Sequence, residues 1–231
     1  MKLPIIHKGE KYPNKGFYFG CDTKYFELYG KALALSIKEK ASWANTHIHI
    51  FNPYEDQLEW CNRQSNLSVT WEYIKDIDEL QTYYACVRFI RIPEIYENHQ
   101  PIISFDCDML MNKKISEEYF DSEVLESKVT CKPKNGDSLA SSIIFGPDDF
   151  RNLYAHLLKK EFEKNNIYWF LDQHILNQII KDKHVNTMGF EWTGLKMNDN
   201  EIMWTAKGNK KQSKQQYVKL VDHYNNIAKG L

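Results

Sequence analysis

Blocks of apolar and polar residues alternate along the chain, and this alternation predicts strands that are followed by helices. A short apolar run at 16–20, which leads into Cys21 and Asp22, predicts a first strand. A second strand is predicted at 47–51, where apolar and polar residues alternate, and a weaker third strand at 69–74. Between the first two strands, apolar residues recur at the spacing of a helix face, namely Phe26, Tyr29, Leu33 and Ile37.

The same alternation continues through the rest of the chain. A helix that begins at Glu79 has a predicted inward face made of Leu80, Tyr83, Tyr84, Val87 and Ile90. The predicted elements from this point on are a helix at 79–92 closed by Pro93, strands at 101–105 and 142–145, helices at 150–162 and 172–180, and a tail helix around 217–227.

Alternating strands and helices predict the fold class, which is α/β with a mostly parallel sheet flanked by helices. In such sheets, ligands bind beyond the carboxyl ends of the strands. Two acidic sites fall at predicted strand ends, at Asp22 and at the pair Asp106 and Asp108. The chain has 231 residues, 42% of them hydrophobic, and we expect a single domain over residues 1–231.

Charge and cysteine content narrow the partners and the compartment. The formal net charge is −1, from 31 acidic and 30 basic residues, so no global field attracts nucleic acid or an anionic membrane. No window approaches the roughly 18 apolar residues of a membrane span, and no signal peptide is recognisable. The five cysteines form no CxxC pair, which favours reduced thiols. We therefore expect a cytoplasmic protein with no nucleic-acid partner and no integral membrane segment.

The acidic pair after the predicted strand at 101–105 is the sharpest chemical feature. In an extended segment, Asp106 and Asp108 point to the same side, and two carboxylates about 4 Å apart repel by roughly 4 kcal/mol at an effective dielectric near 20. A divalent cation reverses the sign, and oxygen ligands suit Mn²⁺ or Mg²⁺. Such an ion can neutralise a diphosphate leaving group. The alternative is a solvated loop that carries two acids.

Other polar residues have both a chemical and a structural interpretation. Asp22 and Tyr25 can hold a nucleobase or ribose, or else Asp22 or Thr23 caps the following helix. Asp172 shares a helix face with apolar residues, so it is a functional acid or an N-cap. Arg88 can pair with the acidic pair or a diphosphate, or it can lie at the surface.

Taken in order, five short segments resemble the family 8 glycosyltransferases, the group that includes glycogenin and the bacterial lipopolysaccharide galactosyltransferases. The resemblance extends from about residue 17 to residue 212. The matching segments are Phe19-Gly20-Cys21-Asp22-Thr23-Lys24-Tyr25, Tyr84-Ala85-Cys86-Val87-Arg88, Ile103-Ser104-Phe105-Asp106-Cys107-Asp108, Asp172-Gln173 with Leu176-Asn177, and Gly208 with Lys211.

The resemblance implies a GT-A-like fold and a role for each matching residue. Two positions depart from the family: Thr205 replaces a metal-ligating histidine, and an Asn-Ala-Gly segment reads Leu139-Ala140-Ser141-Ser142. Asp22 and Tyr25 would contact the nucleoside, and Cys21, Arg88, Ser141 and Ser142 would contact the donor. Asp106 and Asp108 would bind Mn²⁺ or Mg²⁺. The catalytic candidates Asp172 and Gln173 would lie beside the sugar, and Lys207, Gly208 and Lys211 would hold the diphosphate.

The predicted function is a metal-dependent glycosyltransferase that moves a hexose from a nucleoside-diphosphate sugar, a UDP-sugar by the resemblance, to a hydroxyl of a carbohydrate or glycoconjugate, with retention. No GxSxG, P-loop or GxGxxG motif occurs, which removes the commonest hydrolase, NTPase and dinucleotide-binding classes. One alternative is a non-catalytic carbohydrate- or nucleotide-binding protein of the same fold. The other is a nucleotidyltransferase, which should show a third acid near the pair and a basic, glycine-rich loop near the N-terminus.

Overall fold

The computed structural model describes residues 3–75, 77, 79–96, 100–131, 136–147, 149–182, 185–206 and 214–230. The strands within these residues are β1 (His7–Lys8), β2 (Gly16–Asp22), β3 (Asn45–Phe51), β4 (Leu67–Glu72), β5 (Ile102–Phe105), β6 (Met109–Met111), β7 (Lys128–Cys131), β8 (Ser138–Phe145), β9 (Asn186–Met188) and β10 (Met203–Thr205). The helices are α1 (Thr23–Tyr25), which continues through a π turn (Phe26–Gly30) into α2 (Lys31–Lys40), α3 (Glu55–Arg63), α4 (Leu80–Ile95), α5 (Glu117–Glu123), α6 (Phe150–Glu163), α7 (Leu171–Asp182), a 3₁₀ turn (Phe190–Thr193) and α8 (Gln215–Lys229).

The large sheet has a parallel centre and mixed edges. Its eight strands follow the order β1-β4-β3-β2-β5-β8-β7-β9, and β6 pairs with β10 in a small separate sheet. The strands β4, β3, β2 and β5 are parallel, whereas β8 is antiparallel to both of its neighbours. The predicted fold class, α/β with a mostly parallel sheet flanked by helices, is confirmed. Because β2 and β5 are neighbouring parallel strands, the residues that follow them meet at one edge of the sheet.

Apolar layers cover both faces of this sheet. Alternation along β2 places Phe17 and Phe19 in the layer that contains α2, α3 and α8, and Tyr18 in the layer that contains α4, α6 and α7. The hydroxyl of Tyr18 donates to the backbone carbonyl of Arg88, 2.6 Å away, and this bond anchors α4 on the sheet. Among the described helices, none is long and apolar enough to cross a membrane.

Helix α4 differs from its prediction at both ends. Pro93 does not close the helix but lies inside it, two residues before its end at Ile95. A proline so close to the end removes one hydrogen bond, and the buried side chains of Ile92 and Ile95 hold the last turn on the core. Leu80, predicted to face inward, is 39% exposed because it opens the helix at the rim of a cavity.

No pattern in the sequence predicts α3, α5 or β7. The apolar side of α3 is small, since its fully buried apolar residues are only Trp60 and Cys61. Both α5 and β7 lie in a segment of mixed polarity between β6 and β8. The predicted strands at 16–20, 47–51 and 101–105 and the predicted helix at 150–162, in contrast, coincide with β2, β3, β5 and α6 to within a few residues.

Gly20 in β2 allows α4 to approach the sheet closely. A Cβ atom at this position would lie 2.8 Å from the Cβ atom of Arg88. We expect Gly20→Ala to lower the free energy of unfolding by about 1–3 kcal/mol, because α4 must shift to relieve the overlap. Urea unfolding measures the loss. Gly230→Ala is the control, since its Cβ atom would meet only the backbone oxygen of Ile227, at 3.6 Å. Equal stability of the two variants would contradict the prediction.

Candidate active site

A cavity of about 500 Å³ opens at the carboxyl ends of β2 and β5. A smaller cavity of about 270 Å³ adjoins it and shares Arg88, Asp106 and Trp169 with it. The predicted contacts that line the larger cavity are Cys21, Asp22, Tyr25, Arg88, Asp106 and Asp108. Those that line the smaller one are Arg88, Asp106, Ser141, Asp172 and Gln173. The structure thus brings the predicted nucleoside, metal and sugar contacts together.

Asp106 and Asp108 lie on a turn, which we call the acid turn. Strand β5 ends at Phe105, and the amide of Met109 donates to the carbonyl oxygen of Asp106, 3.1 Å away. The extended geometry assumed from the sequence is therefore wrong, because the chain turns here to enter the small sheet of β6 and β10. Both acids nevertheless line the larger cavity.

Arg88 of α4 holds the acid turn. Its guanidinium group lies 2.7 Å from Oδ1 of Asp106 and donates to the backbone carbonyls of Phe105 at 3.0 Å and Ala140 at 3.4 Å. Arg88 is only 6% exposed, so the surface interpretation is wrong and the predicted pairing with Asp106 is present. These contacts join α4 to β5, β8 and the acid turn.

The carboxyl groups of the site affect one another's protonation. Desolvation raises the pKa of Asp106, Arg88 lowers it and the negative charges of Asp108 and Asp172 raise it, so that the resulting pKa is about 6. Desolvation also raises the pKa of Asp172, again against the effect of Arg88. Negative charge is therefore unfavourable at this edge of the sheet, and a bound cation would favour the ionised acids.

Tyr217 of α8 holds the acid turn from the other face of the sheet. Its hydroxyl donates to the backbone carbonyl of Asp108, 2.5 Å away. Its ring lies 6.4 Å from that of Tyr29, which in turn lies 5.5 Å from the ring of Tyr25 at the cavity. The sequence carries no signal for this contact, since Tyr217 and Asp108 are 109 positions apart.

Asp22 caps a helix, which is one of the two alternatives considered from the sequence, and it also lines the larger cavity. Its Oδ1 accepts a hydrogen bond from the amide of Tyr25, 2.6 Å away. The hydroxyl of Thr23 is not the cap, because it donates to the backbone carbonyl of Asn52. Cys21 beside it is buried, and burial raises the pKa of its thiol well above the ordinary value, so it contributes to the cavity as an uncharged wall.

Asp172 and Gln173 lie in the first turn of α7. Asp172 is 8% exposed, and its backbone carbonyl accepts a hydrogen bond from the hydroxyl of Tyr154, 2.9 Å away. Oε1 of Gln173 accepts from the amide of Ala140 at 3.1 Å, whereas its buried Nε2 has no partner in the described part of the chain. Gln173 therefore has a hydrogen-bond donor that the described residues leave unused.

Of the predicted contacts on β8, one lies at the smaller cavity and the other does not. Ser141 lines the smaller cavity, but the hydroxyl of Ser142 donates to the backbone carbonyl of Trp192, because successive side chains of β8 alternate across the sheet. Thr205 lies opposite Met109 in the pair of β10 with β6, beside the acid turn. The predicted diphosphate contacts Lys207, Gly208 and Lys211 lie outside the described residues.

The two acids of the turn suit a cation that is shared with a ligand. Within the residues that the structure describes, no group of three or more His, Cys, Asp and Glu residues is arranged to hold a metal ion. Mg²⁺ usually binds through one or two carboxylates and completes its coordination with waters and phosphate oxygens. Asp106 and Asp108 therefore fit Mn²⁺ or Mg²⁺ that binds together with a diphosphate.

Sequence reasoning missed Trp169, which lines both cavities. It belongs to the run Tyr168-Trp169-Phe170 just before α7, and all three side chains are more than one-third exposed. The available signal was an aromatic run that ends two residues before Asp172, but an apolar run is more often buried than exposed.

Comparisons with known proteins identify the fold. No model of a protein family matches the sequence, and neither does a curated protein. Solved structures do match. The apo structure of the bifunctional glycosyltransferase WbbM is similar over 94% of this chain and 50% of its own, with a TM-score of 0.66 and 15% identity. The galactosyltransferase LgtC in complex with donor and acceptor sugar analogues is similar over 94% of this chain and 96% of its own, with a TM-score of 0.64 and 11% identity.

A third solved structure, the glycosyltransferase GlyE of Streptococcus pneumoniae, is similar over 92% of this chain and 60% of its own, with a TM-score of 0.62 and 12% identity. The protein therefore has the GT-A-like fold of these glycosyltransferases, and the resemblance noted in the sequence is confirmed at the level of the fold. The chain spans half the length of the WbbM chain and nearly all of the LgtC chain.

Proposed function

We propose that this protein is a metal-dependent glycosyltransferase that moves a hexose from a UDP-sugar to a hydroxyl group of a carbohydrate or glycoconjugate, with retention. One observation carries the proposal: the acid turn opens into a cavity that adjoins a second one, which is lined by the buried Asp172 and by Gln173, whose Nε2 has no partner among the described residues. The fold shared with solved glycosyltransferases supports it.

The proposal assigns each part of such a donor to one of three adjoining cavities. The diphosphate would lie at the acid turn, with the nucleoside towards Asp22 and Tyr25. A further cavity of about 640 Å³ adjoins the larger cavity of the site, and the two share Asp22 and Tyr84. The ring of Tyr84 lies 4.8 Å from that of Phe51 in a stacked arrangement. These rings offer an apolar wall for a nucleobase. The hexose would then occupy the smaller cavity.

Asp106 and Asp108 would hold Mn²⁺ or Mg²⁺, which supplies positive charge to the leaving diphosphate when it is bound. Arg88 keeps the carboxylate of Asp106 in position through the contact at 2.7 Å. Tyr217 keeps the backbone of Asp108 in position. Site geometry held from two sides in this way favours catalysis, because the polar groups need not rearrange during the reaction.

In the proposed reaction, the bond between the anomeric carbon and the diphosphate oxygen breaks, and a bond to the acceptor oxygen forms. The proton of the acceptor hydroxyl passes to the leaving phosphate oxygen. Asp172 would stabilise positive charge that develops on the sugar, and Nε2 of Gln173 would orient a sugar hydroxyl. Retention follows if the acceptor approaches from the face that the diphosphate leaves.

Thermal unfolding with UDP and Mn²⁺ tests the donor site. We expect the two ligands together to raise the Tm by roughly 5–10 °C when each is present at about 100 times its Kd. Either ligand alone should raise it far less, because two carboxylates complete a metal site only together with phosphate oxygens.

The outcomes separate the proposal from its alternatives. Metal-dependent release of UDP from one member of a panel of UDP-hexoses supports transfer. Stabilisation without any release would favour a non-catalytic binding protein, and release of pyrophosphate from UTP and a sugar phosphate would favour a nucleotidyltransferase. If UDP, GDP and ADP all fail to stabilise the protein with Mn²⁺ present, the nucleotide-sugar proposal is wrong.

A further inference from the structure

We propose that the protein has a second ligand site, separate from the proposed active site, for a small hydroxylated organic anion such as a phosphorylated or carboxylated polyol. The site is a cavity of about 370 Å³, which we call the distal cavity, and Lys11, Tyr96 and Gln100 are among the residues that line it. The inference does not depend on the proposed function, because none of the described residues that line the distal cavity also lines a cavity assigned to the donor.

The distal cavity lies at the edge of the sheet opposite the acid turn. Tyr96 and Gln100 lie between the end of α4 and the start of β5, and Pro13 and Asn14 lie just before β2. The acid turn instead follows the carboxyl end of β5. Since β2 has seven residues that rise about 3.3 Å each, the two edges are roughly 20 Å apart. A molecule that fits the distal cavity would therefore not extend to the acid turn.

Two buried polar atoms of residues that line the distal cavity have no hydrogen-bond partner among the described residues. They are the hydroxyl oxygen of Tyr96 and Oε1 of Gln100. Tyr96 is 4% exposed, and burial raises the pKa of its hydroxyl well above the ordinary value, so the group keeps its proton and is a hydrogen-bond donor. An unpaired buried polar group costs free energy, and a ligand that pairs with these two atoms would remove that cost.

The ring of Tyr96 and the backbone of Gln100 are held in place by the fold. The ring of Tyr96 packs edge-on against the rings of Tyr18 at 6.0 Å and His47 at 5.7 Å. The backbone carbonyl of Gln100 accepts a hydrogen bond from the guanidinium group of Arg151, 2.7 Å away. Groups that are ordered in advance lose little conformational entropy when a ligand binds, which favours binding.

A hydroxyl group of a ligand matches these two atoms, because it can accept a hydrogen bond from Tyr96 and donate one to Oε1 of Gln100. A buried water molecule can form the same two bonds. The volume separates the two cases. About 370 Å³ lies within the range of roughly 300–1,000 Å³ for small-molecule sites, whereas one water takes about 30 Å³.

The charge of the distal cavity favours an anion. Lys8 and Lys11 line it, and no acidic residue does within the part of the chain that the structure describes. Nζ of Lys11 donates to the backbone carbonyls of Asn62, 2.7 Å away, and Gln64. These bonds use two of the three donors of the ammonium group, and a neutral carbonyl does not cancel its charge. A negatively charged ligand would therefore be attracted to the cavity.

Apolar side chains in the distal cavity favour an organic anion over an inorganic one. Pro13, Val69 and Ile95 also line it. Small-molecule sites usually combine apolar walls with a few polar groups. The carbon skeleton of a polyol would contact these walls, whereas inorganic phosphate would leave them unused.

Isothermal titration calorimetry with glycerol 3-phosphate, 3-phosphoglycerate and malate tests the site. We expect at least one of these anions to bind with a Kd on the order of 1 mM or lower, and to bind equally well with UDP and Mg²⁺ present. Glycerol, which has no charge, should bind at least tenfold more weakly, and so should inorganic phosphate, which has no carbon skeleton.

Tyr96→Phe and Gln100→Met locate the bound anion. Each removes one of the two unpaired polar atoms and should raise the Kd about tenfold. The Tm of Tyr96→Phe should be unchanged or higher, because the hydroxyl that it removes is buried and unpaired among the described residues. Tyr73→Phe is the matched control, since Tyr73 is 52% exposed and does not line the distal cavity, and its Kd should stay within about twofold.

Several results would overturn the second site. If none of the three anions binds, the two polar atoms are paired with buried water. An unchanged Kd in both Tyr96→Phe and Gln100→Met would place the anion elsewhere, and displacement by UDP would place it in the donor site. A lower Tm for Tyr96→Phe would show that its hydroxyl serves the fold. Binding of the anion to a protein that UDP and Mn²⁺ do not stabilise would support this site and contradict the proposed function.

Discussion

Asp108→Asn should lower metal-dependent release of UDP from a UDP-hexose at least a thousandfold, while the protein stays folded. The substitution removes one of the two carboxylates of the acid turn, and under the proposed function the loss of the metal's charge at the leaving diphosphate would raise the barrier by about 4 kcal/mol. The hydrogen bond from Tyr217 to residue 108 survives, because its acceptor is the backbone carbonyl. Values of kcat/KM measure the loss, and the Tm reports the fold.

Asp222→Asn is the matched control for this change. Asp222 is an exposed acid on α8, so its substitution removes the same charge from the surface and should leave kcat/KM within about twofold. If Asp108→Asn retains more than a tenth of the wild-type kcat/KM, Asp108 does not hold the cation. Loss of UDP-dependent stabilisation by Mn²⁺ should accompany the loss of turnover.

Arg88→Met should lower the free energy of unfolding by about 3 kcal/mol, at the lower end of the range for breaking a buried ion pair. Methionine fills much of the space but donates no hydrogen bond to Asp106 or to the carbonyls of Phe105 and Ala140. We place the expected loss of stability at the lower end of this range because the side chain of Asp106 is 38% exposed and water can partly solvate it. Urea unfolding measures the change.

Arg63→Met provides the comparison for Arg88→Met. Arg63 is exposed at the end of α3, and its replacement should change the stability by no more than about 0.5 kcal/mol. Equal stability of the two variants would mean that the contacts of Arg88 contribute nothing to the fold. A stable Arg88→Met protein that still releases UDP at the wild-type rate would also remove Arg88 from the proposed site.

Local patterns in the sequence are sufficient for much of the fold. The strand at β2 is predicted because Phe17, Tyr18 and Phe19 form an unbroken apolar run, and all three are buried, as in a strand that is covered on both faces. The amphipathic helix at α6 is predicted because its buried residues recur at helical spacing. The position of the acid turn follows from the same logic, since it directly follows the buried strand β5.

Features that depend on distant parts of the chain are not predictable in this way. The antiparallel direction of β8 is set by its pairing with β5 and β7, and no sequence pattern within residues 138–145 indicates this direction. That pairing also decides which serine faces the cavity, so Ser141 lines it and Ser142 does not. Trp169 is exposed and the next residue, Phe170, has a positive φ, whereas an apolar run in the sequence alone suggests burial.

The hydrogen bond from Tyr217 to Asp108 also has a consequence for biosynthesis. Ribosomes extend a nascent chain from the N-terminus, so Asp108 is polymerised 109 positions before the tyrosine that holds its carbonyl. The sheet strands β2 to β5 and the helix that carries Arg88 can therefore pack co-translationally while the acid turn still lacks one of its two supports. Under the proposed function, the complete donor site would arise only after α8 has emerged from the ribosomal exit tunnel and docked, so a partly synthesised chain would lack it.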